Sequence, residues 1–304
     1  IEDVATGHVL VMADSNSKEP DNANPQKVHA VQDAFEPGSV GKLVTVGAAL
    51  NQGTITPTSV FQVPYSLDLP DAGGPITDFH EHGGETLTAT GVLAESSNTG
   101  TVLIGQTMSD DQRYAMMRAL GFGEETGVEL PGETDGYLPD ASMPDYTRDN
   151  MAFGQGFSAN AVQMAAALAA ATNGGVYHRP TIIAGATGAD GAAVPLPERN
   201  SRRVISEGAS GQVRDLMEAV TAGGTGQQGR MISGYRMGGK SGTAQVIDQT
   251  TGQYDAHRYM SSYVTVAPIE DPQILVYTVV EVRDQYGGTV AMPTSRMLMS
   301  AALP

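Results

Sequence analysis

The strand-forming signals of this chain lie at its two ends, with a helical middle between them. Ile1 to Ala5 and His8 to Ala13 are short apolar runs joined at Thr6-Gly7, the form of a hairpin. Tyr235 to Val246, Tyr259 to Val266 and Ile274 to Val282 are rich in Val, Tyr and Ile and separated by turn residues. Edge-to-edge pairing of such runs requires the first and last parts of the chain to meet in one antiparallel sheet. The class expected is α/β (α+β): a sheet lobe from about residues 1–35 and 222–304, and a helical lobe from about 36–221.

Helical spacing of apolar residues marks the middle. Ser39 to Asn51 follows a Pro37-Gly38 turn and is closed by Gly53. Leu87 to Glu95 and Asn98 to Thr107 come next, then a helix capped by Ser109-Asp110-Asp111 that runs to Leu120 with Gly121 beyond it. Ala161 to Thr172 is the most apolar run and falls short of the roughly 20 residues that cross a bilayer. Ser210 to Thr221 and Pro293 to Ala302 complete the set, while 14–32, 51–84 and 185–199 read as loops. No basic segment followed by an apolar core opens the chain, and Ile1 falls within a strand-like run. The chain is therefore expected to be a fragment of something longer.

Charge and composition narrow the chemistry. The 304 residues carry a net charge of −17, which argues against nucleic acid or an anionic membrane as partner. With no cysteine, disulfides and thiolate metal sites are excluded. Only four lysines are present, Lys18, Lys27, Lys42 and Lys240, and two of them fall inside short motifs. The motifs are Ser39-Val40-Gly41-Lys42, Ser96-Ser97-Asn98 and Lys240-Ser241-Gly242-Thr243, in that order. Lysine has a property arginine lacks: when buried it can give up its proton.

Those residue types suit nucleophilic acyl transfer. A serine hydroxyl needs a base within hydrogen-bond reach, and Lys42 lies one helical turn from Ser39. Lys42 must be neutral to act as that base, so burial and a nearby cation have to lower its pKa. Ser96 and Asn98 sit between two helices, where their side chains can converge on a cleft. Gly242 in a strand lets a substrate backbone approach, and Ser241 and Thr243 set hydroxyls beside the Lys240 ammonium to receive a carboxylate. The plain alternatives are that Ser39, Ser96 and Asn98 only cap helices. His80-Glu81-His82 resembles a metal pair without further ligands at suitable spacing, so neither a metal nor another cofactor is expected. Gly223-Gly224-Thr225-Gly226 follows no strand and is not a phosphate loop, and Glu124, Glu125 and Glu129 read as solvated turn residues.

Taken together, these blocks resemble the transpeptidase domain of a class B penicillin-binding protein. Phe35-Glu36-Pro37-Gly38-Ser39 is similar to that family's lead into its nucleophile. His82-Gly83, Thr86-Leu87-Thr88 and Ser96-Ser97-Asn98 are similar to its second block. Phe153-Gly154-Gln155-Gly156, with Gln163-Met164-Ala165 and Asn173-Gly174-Gly175, resembles another signature. Gly224-Thr225-Gly226, Gly234-Tyr235 and Gly239 to Gln245 resemble the third block, and Tyr286-Gly287-Gly288 with Ala291 and Pro293 the C-terminal one. Val40-Gly41 within the first block is most similar to the septal, cell-division member of actinobacteria.

The resemblance implies a five-stranded antiparallel sheet flanked by helices plus an all-helical lobe, as in the penicillin-binding and serine β-lactamase fold. It implies that Ser39 is acylated by the D-Ala-D-Ala end of a peptidoglycan stem peptide, with Lys42 as base. Ser96 and Asn98 then relay protons and hold the substrate, and Lys240, Ser241, Gly242 and Thr243 form the carboxylate side of the site. The backbone N–H groups of Ser39 and Thr243 form the oxyanion hole. It further implies β-lactams as covalent inhibitors and an extracytoplasmic domain on a membrane anchor and pedestal. A glycosyltransferase and divisome proteins are its implied partners. Ser241 stands where many members have threonine, and no Glu-x-x-Leu-Asn pattern follows Asn98. A D,D-carboxypeptidase, a serine β-lactamase and a non-catalytic β-lactam sensor share the same nucleophile and base and stay open as alternatives.

Overall fold

The computed structural model describes residues 1–14, 27–69, 74–196, 199–224, 232–248, 250–285 and 287–303. Most of the expected loop at 14–32, and the motif positions Thr225, Gly226 and Tyr286, lie outside the described residues.

The ends of the chain do meet. Strand β1 (Glu2–Asp3) begins the chain. The small ladders β2 (Val60–Val63) with β5 (Glu85–Thr88), β3 (Ser66–Leu67) with β4 (Ile76–Thr77), β6 (Val176–Tyr177) with β9 (Arg202–Arg203) and β7 (Ala186–Thr187) with β8 (Ala193–Val194) decorate the middle. Strands β10 (Gly238–Ile247), β11 (Tyr254–Ala267) and β12 (Ile274–Arg283) form the main sheet with β1, in the order β1-β12-β11-β10 and antiparallel throughout. Among the described residues this sheet has four strands, where five were expected. The segment from His8 to Ala13 makes only single bridges, Val9 to Glu2 and His8 to Thr181. The Asp3 carboxylate accepts from Ala5 N and Thr6 N in the turn, and across it Asp3 N donates to His8 O at 2.9 Å and Leu10 N to Ile1 O at 2.8 Å.

The helices are α1 (His29–Gln32), α2 (Lys42–Gln52), α3 (Ala89–Glu95), α4 (Asn98–Gly105), α5 (Asp110–Ala119), α6 (Asp145–Ala152), α7 (Ala161–Thr172), α8 (Glu207–Gly223) and α9 (Gly287–Ala302). Of these, α7 starts where a capping box forms, with Asn160 and Gln163 each bonding the other's backbone N–H at 2.8 Å. Its alanines let it run through the centre of the core, packed with α2, α8 and β12. Helix α2 ends at Gly53, whose φ of 68° suits a C-terminal glycine. Two expectations shift. Leu87 and Thr88 belong to β5 and not to α3. Helix α9 starts six residues before Pro293, because Ala291 and Met292 are buried against Tyr263 and that packing offsets the bond proline cannot make. Among the described residues no helix is long and apolar enough to cross a membrane.

Candidate active site

Ser39 occupies the middle of a 3-10 turn, Gly38–Val40, that feeds directly into α2. Gly38 N donates to Gly154 O at 2.9 Å, so the turn is fastened to the segment just after α6. Gly154 has φ 91°, and a Cβ there would overlap Gly38 O, so no other residue fits. On the opposite side the turn packs on β10. A Cβ on Gly242 would lie 2.7 Å from Pro37 O and would also overlap Ser262 Oγ. On the side a Cβ would occupy, Gly242 therefore admits the turn that carries Ser39. Ser39 Oγ has no hydrogen-bond partner among the described residues.

Behind Ser39 the three motifs converge. Lys42, at the first position of α2, is fully buried. Its Nζ donates to Asn98 Oδ1 at 2.7 Å, to Ser96 Oγ at 3.3 Å and to the Ser96 carbonyl. Lys240, also fully buried, donates from β10 to Ser96 Oγ at 2.9 Å and to Ser241 O at 3.1 Å. Ser96 is thus the meeting point of both ammonium groups. It caps α3 at φ 60°, a left-handed conformation that costs a non-glycine residue energy and lets its carbonyl and hydroxyl face the lysines together.

Neither ammonium has a salt-bridge partner among the described residues. Burial pushes the Lys42 pKa well below lysine's ordinary value, the nearby Lys240 adds to the effect, and Asp78 opposes it. Burial alone pushes Lys240 down to about 7. Two like charges sharing one serine oxygen in a water-poor site favour states in which at least one amine is neutral. That is the condition Lys42 needs to accept a proton.

The pleat places the remaining motif residues. Lys240, Gly242 and Ala244 are buried on the face of β10 turned to α8 and the nucleophile turn, and Ser241 and Thr243 lie on the other face, partly exposed. Period-2 alternation sends the Lys240 side chain toward Ser96, from the face opposite Ser241 and Thr243. Strand β10 ends the sheet, so both faces are reached from its open edge. Thr243 O lies against Gly38, which brings the backbones of Thr243 and Ser39 next to each other. Asn98 spends Oδ1 on Lys42 and one Nδ2 hydrogen on Thr77 O at 2.9 Å, leaving its second N–H for a ligand.

Asp78 escaped sequence reasoning. Its carboxylate accepts from Ser97 Oγ at 2.7 Å, from Thr99 N at 3.1 Å and from Asn98 N, at the N-terminus of α4. His82 Nε2 lies 3.1 Å from the same carboxylate, and Gly84 N donates to His82 Nδ1. The histidine that suggested a metal pair is engaged in holding Asp78. The only sequence signal for this pairing was the spacing of four between Asp78 and His82.

Comparison with known proteins agrees with this arrangement. Residues 1–300 match the penicillin binding protein transpeptidase domain. The chain is 35% identical over 292 residues to penicillin-binding protein PbpB of Mycobacterium tuberculosis, covering 90% of this chain and 42% of that protein. It is 32% identical over 311 residues to peptidoglycan D,D-transpeptidase FtsI of Escherichia coli, covering 99% of this chain and 50% of the relative. The chain thus spans half or less of the length of these relatives. The crystal structure of penicillin binding protein 3 from Mycobacterium tuberculosis complexed with ampicillin matches with a TM-score of 0.90 at 31% identity, over 100% of this chain and 72% of that one. With its motifs in order, its fold shared and nearly its whole length matched, this chain belongs to the class B penicillin-binding proteins, as a transpeptidase domain.

Proposed function

We propose that this domain is a peptidoglycan D,D-transpeptidase working through a serine acyl-enzyme. The observation that carries the reading is the convergence on Ser96 of Lys240 and of Lys42, three residues on from Ser39. Ser39 Oγ attacks the carbonyl of the D-Ala-D-Ala peptide bond while Lys42 takes its proton. The tetrahedral oxyanion sits between the backbone N–H groups of Ser39 and Thr243. Collapse breaks the C–N bond, and the departing D-Ala amine takes a proton passed through Ser96. An amine of a second stem peptide then attacks the ester, closing the cross-link and freeing Ser39. Asn98 holds the donor's amide, while Lys240, Ser241 and Thr243 receive the terminal carboxylate from the edge of β10.

A β-lactam presents the same carbonyl and carboxylate and stops at the ester. One relative, crystallised in complex with aztreonam and with ampicillin, supports that reading. In the full-length protein the domain works on the outer face of the cell membrane, held by an N-terminal anchor and pedestal. Its partners there are a glycosyltransferase and division proteins, in septal wall synthesis. Within the domain, the sheet lobe of about 1–35 and 222–304 and the helical lobe of about 36–221 close the site between them.

Intact-protein mass after mixing with a penicillin tests this reading. Wild type should gain one adduct that persists for hours, and Ser39→Ala should gain none while keeping its thermal unfolding profile. Rapid return to free mass would favour a β-lactamase, and an adduct on Ser39→Ala would sink the assignment of the nucleophile. Release of D-Ala without cross-linked product would favour a carboxypeptidase, and no release at all a sensor.

A further inference from the structure

Glu36 stands three residues before Ser39 and holds together three parts of the fold. Its Oε1 accepts from Gly156 N at 2.7 Å, which ties it to the helical lobe beside Gly154. The Tyr254 hydroxyl lies 3.1 Å from Oε1 and 3.0 Å from Oε2 and donates to the carboxylate. Through Pro37 the same stretch packs on Gly242 of β10. Tyr254 opens β11 and is 45% exposed, and its hydroxyl is held by Glu36. Burial pushes the Glu36 pKa up, while the Gly156 N–H and the Tyr254 hydroxyl hold it down.

The β10–β11 ladder is interrupted at this end of the hairpin. The β10–β11 register runs unbroken from Gly238 to Gln245, then shifts at a bulge, and only Ile247 pairs beyond it, with Tyr254. A bulge interrupts the ladder and bends the strand. Past the bulge, β11 is joined to β10 by the Ile247–Tyr254 pair and by Asp248 N donating to Gln253 O at 2.9 Å, to β12 through His257 and Arg258, and to the turn that carries Ser39 by Glu36. That hairpin includes β10, the edge strand that bears Ser241 and Thr243.

We propose that Glu36 and Tyr254 form a latch that clamps the far half of the β10–β11 hairpin to the nucleophile turn, making both of them positioning residues for acylation. The proposal rests on Ser39 being the acylated residue. The latch sets the approach of β10 to Ser39, so its loss slows the covalent step once a β-lactam is bound and leaves non-covalent capture unchanged.

The test uses the intact domain and a fluorescent penicillin, with the acylation rate followed across penicillin concentrations. Tyr254→Phe keeps the ring and removes the hydroxyl. It should lower the saturating acylation rate by about threefold to tenfold, the range one hydrogen bond carries when expressed as a rate. The half-saturating concentration and the final labelled fraction should stay the same, whereas simple misfolding would cut the labelled fraction. Glu36→Ala should be slower still, Glu36→Gln should recover most of the rate, and Tyr254→Phe should have no further effect in the Glu36→Ala background. Equal effects of Tyr254→Phe in both backgrounds, or a normal rate for Tyr254→Phe, would overturn the latch. Deuterium uptake across residues 245–256 gives a reading independent of acylation. Faster uptake in Tyr254→Phe supports the latch, and unchanged uptake refutes it, even if penicillin labelling showed the functional reading itself to be wrong.

Discussion

Two joints meet at Ser39, and they are built on opposite terms. In front, the turn is packed backbone on backbone, against Gly154 from the helical lobe and Gly242 from the sheet, with no space for a side chain. Behind, Lys42, Lys240 and Ser96 form a polar cluster with two buried amines and no salt-bridge partner among the described residues. The first joint fixes position through sterics and is indifferent to pH. The second destabilises the fold and derives reactivity from that cost. Precision and reactivity are thus held by different atoms and should fail separately.

The largest expected effect comes from breaking the steric joint. Gly154→Ala places a methyl group on Gly38 O at a left-handed backbone position. It should cost more than about 3 kcal/mol, at the severe end for one substitution, and abolish penicillin labelling. A thermal unfolding scan with a midpoint near wild type would show that the two backbones can separate freely. Next comes the base. Lys42→Arg keeps a cation that cannot be neutralised and should slow acylation by at least about 10²-fold. Normal rates in that variant would reduce Lys42 to an electrostatic role.

The third change separates the two joints through pH. In the folded chain Lys240 loses its proton at about 7, whereas unfolded it keeps it to its ordinary value of 10.5. Between those values the unfolded state binds more protons, so this group makes stability rise with pH and fall as pH drops toward 7. Lys240→Met, similar in length and uncharged, should therefore unfold at a higher temperature than wild type at pH 7, with the gap narrowing toward pH 10. It should also lose acylation by carboxylate-bearing β-lactams. A lower midpoint at pH 7 would mean that the cluster stabilises the fold after all. Smallest is Asp78→Asn, which retains the shape but removes the anion at the N-terminus of α4. Acylation should fall by about tenfold, in line with one charge-assisted hydrogen bond. Because Asp78 raises the Lys42 pKa, the acid limb of the pH–rate profile should move to lower pH. An unshifted limb would confine Asp78 to holding the loop.

What was legible in the sequence was local. The apolar run at 161–172 and the cap at Ser109 predicted α7 and α5 closely, because spacing and side-chain capping are properties of neighbouring residues. The three motifs whose side chains meet around Ser96 were legible as ordered short patterns. Asp78 was not, because its role depends on a loop delivering it to α4 from twenty residues upstream. Nor was the facing of β10, where Lys240 and Gly242 lie on the buried face and Ser241 and Thr243 on the other. Helix α6 was missed because its polar face and its Pro144 lead-in look like turn sequence. Gly154 read as part of a signature, but its purpose became visible only with Gly38 O against it.

The glycine joint also bears on how this protein can change over time. Any nucleotide change that alters Gly154 or Gly242 adds at least one carbon where Gly38 O, Pro37 O and Ser262 Oγ already lie. A lineage under drug selection has no small step available there, since even alanine is too large. Inherited variation is directed instead to places with room, such as the loop at Gly83 beside His82, where an added carbon meets nothing within 4 Å and the backbone is not left-handed. Heritable shifts in drug response should therefore map to the rim of the cleft and leave the turn that carries Ser39 unaltered.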